Sequence, residues 1–243
     1  MKLIIDYIKA ALMIISVVAS TLIFATLTVS SYYLTFFLPR QTRSKVAHFF
    51  AGLWGKFIII GTPGWTVKVE GKENLSRNKR YVFVSNHESA TDIFVMYFTN
   101  LQFRWLSKAS VFKVPLIGWA MKCSGYIPIE RGNKKSHIDA LTRSQEVVES
   151  GVPMLYFPEG TRSKTGDLNP FKIGAFKLAE ETGAEIVPIT LVGTKELLQK
   201  GSFMPGSANV KVKILAPISK LESESLEQYA SRARDIILAA RSN

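Results

Sequence analysis

Hydrophobic and polar positions divide the chain into two unlike parts. Residues 10–39 contain no Asp, Glu, Lys or Arg and are dominated by Leu, Ile, Val, Phe and Ala. As a helix this run would extend roughly 45 Å at about 1.5 Å per residue, more than the roughly 30 Å of a bilayer's hydrocarbon core. Tyr32, Tyr33, Phe36 and Phe37 lie near its end and Arg40, Arg43 and Lys45 follow, an order that suits an interfacial aromatic belt with cations beyond it. The run is too long for the apolar region of a secretory signal, and no small-x-small cleavage site closes it, so a retained membrane segment is expected. A second apolar stretch follows, with Val46, Phe49, Phe50, Leu53, Trp54 and Phe57 at helical spacing and His48 and Lys56 interrupting it. It suits a helix lying in the interface or the second arm of a half-buried hairpin; a core helix of the following domain is the alternative.

After about residue 62 the pattern changes to short β-branched and aromatic runs alternating with helical periodicity. Strands are expected at 65–70, 81–85, 103–107, 126–130, 153–157, 186–192 and 210–215. The alternation Val210-Lys211-Val212-Lys213-Ile214 predicts an edge or one-sided strand. Helices are expected over 136–150, capped by Ser136 and closed at Gly151, after Asn169 with Pro170 in the first turn and Gly183 as the stop, and over 221–240. The expectation is therefore one α/β domain over 62–243, with a mostly parallel, roughly seven-stranded sheet flanked by helices, behind a membrane-anchoring segment over 1–61.

Charge and cysteine content narrow the function. The formal net charge is +12, and between Arg40 and Arg80 nine Lys or Arg stand against Glu70 and Glu73. Cations beside an apolar segment point to anionic headgroups and, by the positive-inside rule, to an orientation with the bulk of the protein cytoplasmic. No zinc-finger spacing, basic heptad region or RNA-binding motif supports a nucleic-acid partner. Cys123 is the only cysteine and His48, His87 and His137 are the only histidines, so no intrachain disulfide is possible and neither a metal site nor a cofactor is expected.

Four short segments carry candidate chemistry. Asn86-His87-Glu88-Ser89-Ala90-Thr91-Asp92 follows one apolar run and precedes a helical pattern, so it falls where a strand turns into a helix at one end of the sheet. An imidazole held by a carboxylate is the usual base for activating a hydroxyl. The same Ser89-x-x-Asp92 spacing is a helix-capping pattern, which would account for Asp92 without any chemistry. Gly125 to Arg131 reads as a strand ending in arginine, with Lys134 and Lys135 behind it. Phe157-Pro158-Glu159-Gly160-Thr161-Arg162-Ser163 is again a strand running into a turn, and Val187-Pro188-Ile189-Thr190 lies within a strand. Planar guanidinium groups suit bidentate contact with phosphate, and a glycine turn with exposed amides can bind an anion.

These four segments, in this order and spacing, resemble those of the glycerophospholipid acyltransferase family, and most closely its bacterial lysophosphatidate-acylating members. The resemblance covers about residues 65–215 and is carried chiefly by the N-H-x4-D and F-P-E-G-T-R-S segments. It implies that His87 is the catalytic base and Asp92 its partner. It implies that Arg131 and the turn residues Glu159, Gly160, Thr161 and Arg162 bind the acceptor, that Pro188 belongs to an acyl-binding region, and that Lys108 adds a cation near the phosphate. The implied reaction moves a fatty acyl group from acyl-CoA or acyl-carrier protein to the sn-2 hydroxyl of 1-acyl-glycerol 3-phosphate, giving phosphatidate. The implied setting is a bacterial inner membrane, with membrane lipids as partners and the catalytic domain on the cytoplasmic side. A thiol leaving group has a pKa near 8.5, so no strong acid is needed. A serine hydrolase would need a G-x-S-x-G elbow, which the chain lacks. Other lysophospholipids or glycerol 3-phosphate remain possible acceptors, and a non-catalytic lipid-binding protein is the rival from another class.

Overall fold

The structure is a computed structural model that describes residues 2–130, 132–161, 167–197 and 205–241. Its sheet comprises β1 (Trp65–Glu70), β2 (Tyr81–Ser85), β3 (Arg104–Lys108), β4 (Ile127–Ile129), β5 (Met154–Tyr156), β6 (Glu185–Val192) and β7 (Ala208–Ile214), in the order β1-β7-β6-β2-β5-β3-β4. All neighbours are parallel except β6 and β7. Every expected strand is present within about two residues, because each is a β-branched or aromatic run that only a buried sheet can use. Strand β7 is not at an edge. It pairs with β1 on one side and β6 on the other, and its lysines alternate because one face of this part of the sheet meets solvent. The edges are β1 and β4.

The helices are α1 (Lys2–Ser20), which continues through a π-turn at Thr21–Ala25 into α2 (Thr26–Leu34), then α3 (Arg40–Ile60), α4 (Asp92–Met96), α5 (Ile117–Cys123), α6 (Lys134–Glu149), α7 (Gly174–Thr182), α8 (Thr194–Leu197) and α9 (Leu226–Arg241). Strand β2 is buried along its whole length and feeds both faces of the sheet. Phe83 joins Val187, Ile189 and Tyr97 in one apolar cluster, while Val82 and Val84 join Phe176, Tyr229 and Ile237 of α7 and α9 in the other. Two helix starts differ from the sequence expectation. Helix α6 is capped by Asn133, whose side chain accepts from the Ser136 amide at 3.1 Å, while the Ser136 hydroxyl accepts from the Glu130 amide at 2.9 Å. Helix α7 begins at Gly174, which leaves Pro170 in the loop before it; Gly183, at φ +63°, ends it in the left-handed region as expected.

Helix α3 packs on the domain with a mixed face of small and large residues. Ala47, His48, Ala51, Gly55, Ile58 and Ile59 are buried, whereas Phe49, Phe57 and Ile60 stay exposed. Gly55 is required for this approach, since a Cβ there would come within 2.4 Å of the Tyr97 ring. The long helix α1–α2 then lies along α3, with the Trp54 indole N–H donating to Thr21 Oγ1 at 2.9 Å and Phe24 against Phe57 at 4.7 Å. Its outer face exposes Ile8, Leu12, Ile15, Val18, Leu22, Ile23 and Leu27. Within it, Tyr7–Leu34 is long and apolar enough to cross a membrane, with a mean hydropathy of 2.3.

His48 joins α3 to the core through a buried polar network. Its Nδ1 lies 3.0 Å from the Tyr126 hydroxyl, its Nε2 3.2 Å from the Leu101 carbonyl, and the Tyr97 and Tyr126 hydroxyls are 2.8 Å apart. Burial, with Arg104 nearby, pushes the His48 pKa down to about 3. A group whose folded pKa is depressed below its unfolded 6.5 stabilises the fold above 6.5 and loses that contribution as pH falls toward 3. Thermal unfolding across this window is expected to show a falling melting temperature, and His48→Gln, which cannot titrate, should flatten the profile. An unchanged profile in the variant would assign the acid sensitivity to the carboxylates instead.

Candidate active site

The C-terminal ends of the parallel strands β2, β3, β4 and β5 open into one cleft of about 440 Å³, lined among others by His87, Lys108, Gly132, Phe157, Thr161 and Lys172. Ligands collect at such strand ends because the loops there diverge from a rigid sheet.

Local geometry holds the His87 turn firmly. Asn86 extends β2 by one more reciprocal pairing with β6, its Nδ2 donating to the Leu191 carbonyl and its Oδ1 accepting the Leu191 amide, both at 2.8 Å. Fully buried Asp92, the first residue of α4, turns Oδ2 back into the loop, where it accepts the amides of Glu88 at 2.8 Å and Ser89 at 3.0 Å. The same oxygen lies 2.7 Å from His87 Nδ1. Asp92 therefore fills both roles that the sequence suggested, loop cap and imidazole partner. An oxygen accepting two amides is an acceptor for Nδ1–H as well, which leaves the Nε2 lone pair toward the cleft. The imidazole stacks on Phe157, with 4.4 Å between ring centres, and this fixes its rotation.

Glu159 is buried and both its carboxylate oxygens are occupied by the protein. Oε1 accepts the His87 amide at 2.8 Å, and Oε2 accepts the Asn169 backbone amide at 3.1 Å and its side-chain amide at 3.0 Å. It ties the loop after β2 to the loop after β5. Gly160 has φ +71°, and a Cβ there would stand 2.7 Å from Lys172 Nζ, so the missing side chain makes room for an ammonium. Lys108, at the end of β3, shares the cleft with Lys172. Arg131 and Arg162 lie outside the described residues, although their neighbours Gly132 and Thr161 line the cleft. Pro188 sits in β6 opposite Val84 and does not line it.

Sequence reasoning missed Asn86, Phe157 and Lys172 as parts of the site. It also missed the pairing of Glu88 with Arg241 of α9, which fastens the last helix to the His87 turn. Burial raises the Glu88 carboxyl above its usual range, with Arg241 pulling the other way. The one available signal was position, since Asn86 and Phe157 open the two motif segments. Nothing local marks Lys172 or Arg241.

A mostly parallel α/β sheet that presents a carboxylate-held imidazole in a cleft with lysines has the chemistry to accept a proton beside a negatively charged group. The sequence signature of the acyltransferase family spans residues 66–192, just over half the chain, and the chain belongs to that family. It is 41% identical over 76% of its length to a chloroplastic 1-acyl-sn-glycerol-3-phosphate acyltransferase of Arabidopsis thaliana, spanning 52% of that protein. It is 36% identical over 71% of its length to the Saccharomyces cerevisiae 1-acyl-sn-glycerol-3-phosphate acyltransferase, spanning 58% of it. The chain thus covers between half and three-fifths of these two curated relatives. In fold it superposes on the crystal structure of the 1-acyl-sn-glycerophosphate acyltransferase of Thermotoga maritima with a TM-score of 0.83 at 21% identity, covering 100% of this chain and 98% of that one.

Proposed function

We propose that the protein acylates the sn-2 hydroxyl of 1-acyl-glycerol 3-phosphate, with acyl-CoA or acyl-carrier protein as donor and phosphatidate as product. The observation that carries this reading is the His87–Asp92 pair at 2.7 Å, with His87 Nε2 left for the cleft that Lys108 and Lys172 share. The names of the relatives support the same acceptor. The acceptor hydroxyl gives its proton to Nε2 as its oxygen attacks the thioester carbonyl. The tetrahedral intermediate then collapses, the C–S bond breaks, and the proton on the imidazolium becomes available to the departing thiolate. Asp92 holds the ring and stabilises the imidazolium without itself taking the proton.

The acceptor phosphate is assigned to Lys108, Arg131, Arg162, Lys172 and the Gly160–Thr161 turn. Glu159 is assigned a positioning role, because both its oxygens already accept from the loops on either side of the cleft. Residues 1–61 serve as the membrane anchor and 62–243 as the catalytic domain, a division supported by the apolar outer face of α1–α2. The lysolipid acceptor lives in a bilayer, so the cytoplasmic face of a bacterial inner membrane is the setting proposed.

The test is an acceptor panel with the full chain and labelled acyl-CoA or acyl-carrier protein: lysophosphatidate, glycerol 3-phosphate and a zwitterionic lysophospholipid. Lysophosphatidate is expected to be used with the highest kcat/KM, and preference for the zwitterionic lipid would sink the assignment. Alanine at Lys108, Arg131, Arg162 or Lys172 is expected to raise the acceptor KM about 10-fold or more while barely moving the donor KM, and Lys should rescue either arginine poorly. Equal effects on both substrates would indicate a structural role for these cations.

A further inference from the structure

A second concentration of positive charge lies at the opposite end of the sheet from His87. A cleft of about 320 Å³ is lined by Arg40 at the start of α3, Arg104 at the start of β3, Lys122 at the end of α5 and Arg143 of α6, with Glu146 as the one acid among its described lining residues. It shares no lining residue with the catalytic cleft. Gln41 bridges its rim, donating to the Ser150 carbonyl at 2.5 Å, so α3 and α6 are held together across it.

Arg104 is the unusual member. Its side chain is 97% buried, at 3% exposure, yet its described partners are neutral: the carbonyl of Phe103 at 2.8 Å and Gln102 Oε1 at 3.4 Å. Among the described residues, none of Arg40, Arg104, Lys122 and Arg143 forms an ion pair. A buried guanidinium without a counter-charge is costly, and burial does depress the Arg104 pKa, with Tyr126 and Tyr97 opposing. Gly125 makes the placement possible. It adopts φ +76°, and a Cβ there would stand 3.1 Å from Arg104 Nε, so the backbone lies against the guanidinium and leaves the cleft open above it.

The location selects the anion. Tyr33 and Leu34 at the end of α2, and Phe36 and Phe37 in the turn that leads into Arg40, are all exposed. Exposed aromatics of this kind sit at headgroup depth in a bilayer, which puts Arg40 at the level of lipid phosphates. We propose that this cleft is an anion site, separate from the catalytic centre, that takes the phosphate of an anionic membrane lipid, with Arg104 as its floor and Arg40, Lys122 and Arg143 as its rim. The phosphate supplies the counter-charge that the fold withholds from Arg104, and guanidinium groups fit it bidentately. Occupancy ties the α2–α3 turn and α6 to the same lipid and so fixes the domain's tilt on the bilayer. This inference rests on the membrane contact proposed above and not on the chemistry at His87.

The experiment is flotation of the full chain with vesicles of phosphatidylcholine, with or without phosphatidate. A triple variant carries Arg40→Gln, Lys122→Gln and Arg143→Gln, all exposed positions whose change leaves the core intact. A control variant loses equal charge elsewhere through Lys72→Gln, Lys177→Gln and Lys211→Gln, also exposed. The triple variant is expected to lose about 100-fold in partition onto phosphatidate vesicles, roughly 5-fold per cation. Its partition onto pure phosphatidylcholine and its turnover of a short-chain acceptor in detergent should stay within about twofold of the parent. Equal losses in the control would overturn the site in favour of diffuse charge, and undiminished partition in the triple variant would overturn it outright. Inorganic phosphate is the soluble arm. If it raises the melting temperature of the parent but not of the triple variant, with vesicle partition unchanged, the lipid assignment fails in favour of a soluble anion.

Discussion

Replacing His87 with alanine is expected to lower kcat/KM for acyl transfer by about 10²–10⁴ while leaving folding and membrane association as they are. The side chain is partly exposed on the cleft, and its ring contributes stacking on Phe157 and one bond to Asp92, so its loss removes little packing. The backbone bond from the His87 amide to Glu159 survives the change, and with it the shape of the turn. Asp92→Asn is expected to lose as much or less. An amide oxygen in the place of Oδ2 can still accept from Glu88, Ser89 and Nδ1, so the ring keeps its orientation and loses the charge that stabilises its protonated form. Purified variants that match the parent in circular dichroism and melting are the proper comparison. Substantial turnover by a well-folded His87→Ala protein would remove the base mechanism altogether.

Glu159→Ala is expected to cost both stability and rate. It strips the partner from three buried or half-buried donors, the His87 amide and both amides of Asn169, on the two loops that Glu159 joins. Unsatisfied buried donors cost about 1–3 kcal/mol each, and a total of about 3–5 kcal/mol by urea unfolding is expected after partial hydration. The rate should fall by about 10²-fold, since a 1 Å displacement of the base is enough for that. Glu159→Gln separates the two possible roles. A glutamine can accept through one oxygen only, so a positioning residue should show a lowered melting temperature and a lowered kcat with acceptor KM little changed. A residue that binds acceptor directly should instead show a raised acceptor KM at unchanged stability.

Much of this protein was determined by local pattern. The strands were legible because a residue buried on both faces of a parallel sheet has to be apolar and is best β-branched, which writes Tyr81–Ser85 and Glu185–Val192 into the chain as continuous runs. His87 and Asp92 were legible because five residues spanning one strand-to-helix turn bring their side chains together without help from the rest of the fold. The apolar run before Arg40 was legible from the absence of charge over a length that no core helix of this domain requires.

What the tertiary structure decided depends on contacts between distant segments. Helical spacing marked Val46, Phe49, Phe50, Leu53, Trp54 and Phe57 as one apolar face of α3, yet Phe49 and Phe57 stay exposed while Ala47, Ala51 and Gly55 are buried, because small residues let the helix backbone approach Tyr97. The lysines of β7 suggested an edge or one-sided strand, and only its pairing with both β1 and β6 decided for a one-sided strand inside the sheet. Only the closed fold shows that Glu159 also joins two loops, accepting from the His87 amide and from Asn169. Lys172, Arg241 and Arg104 carry no local mark at all, since a cation's meaning lies in which carboxylate or cavity it meets. Periodicity reports which way a side chain faces, but the partner on that side comes from a segment that only the closed sheet brings near.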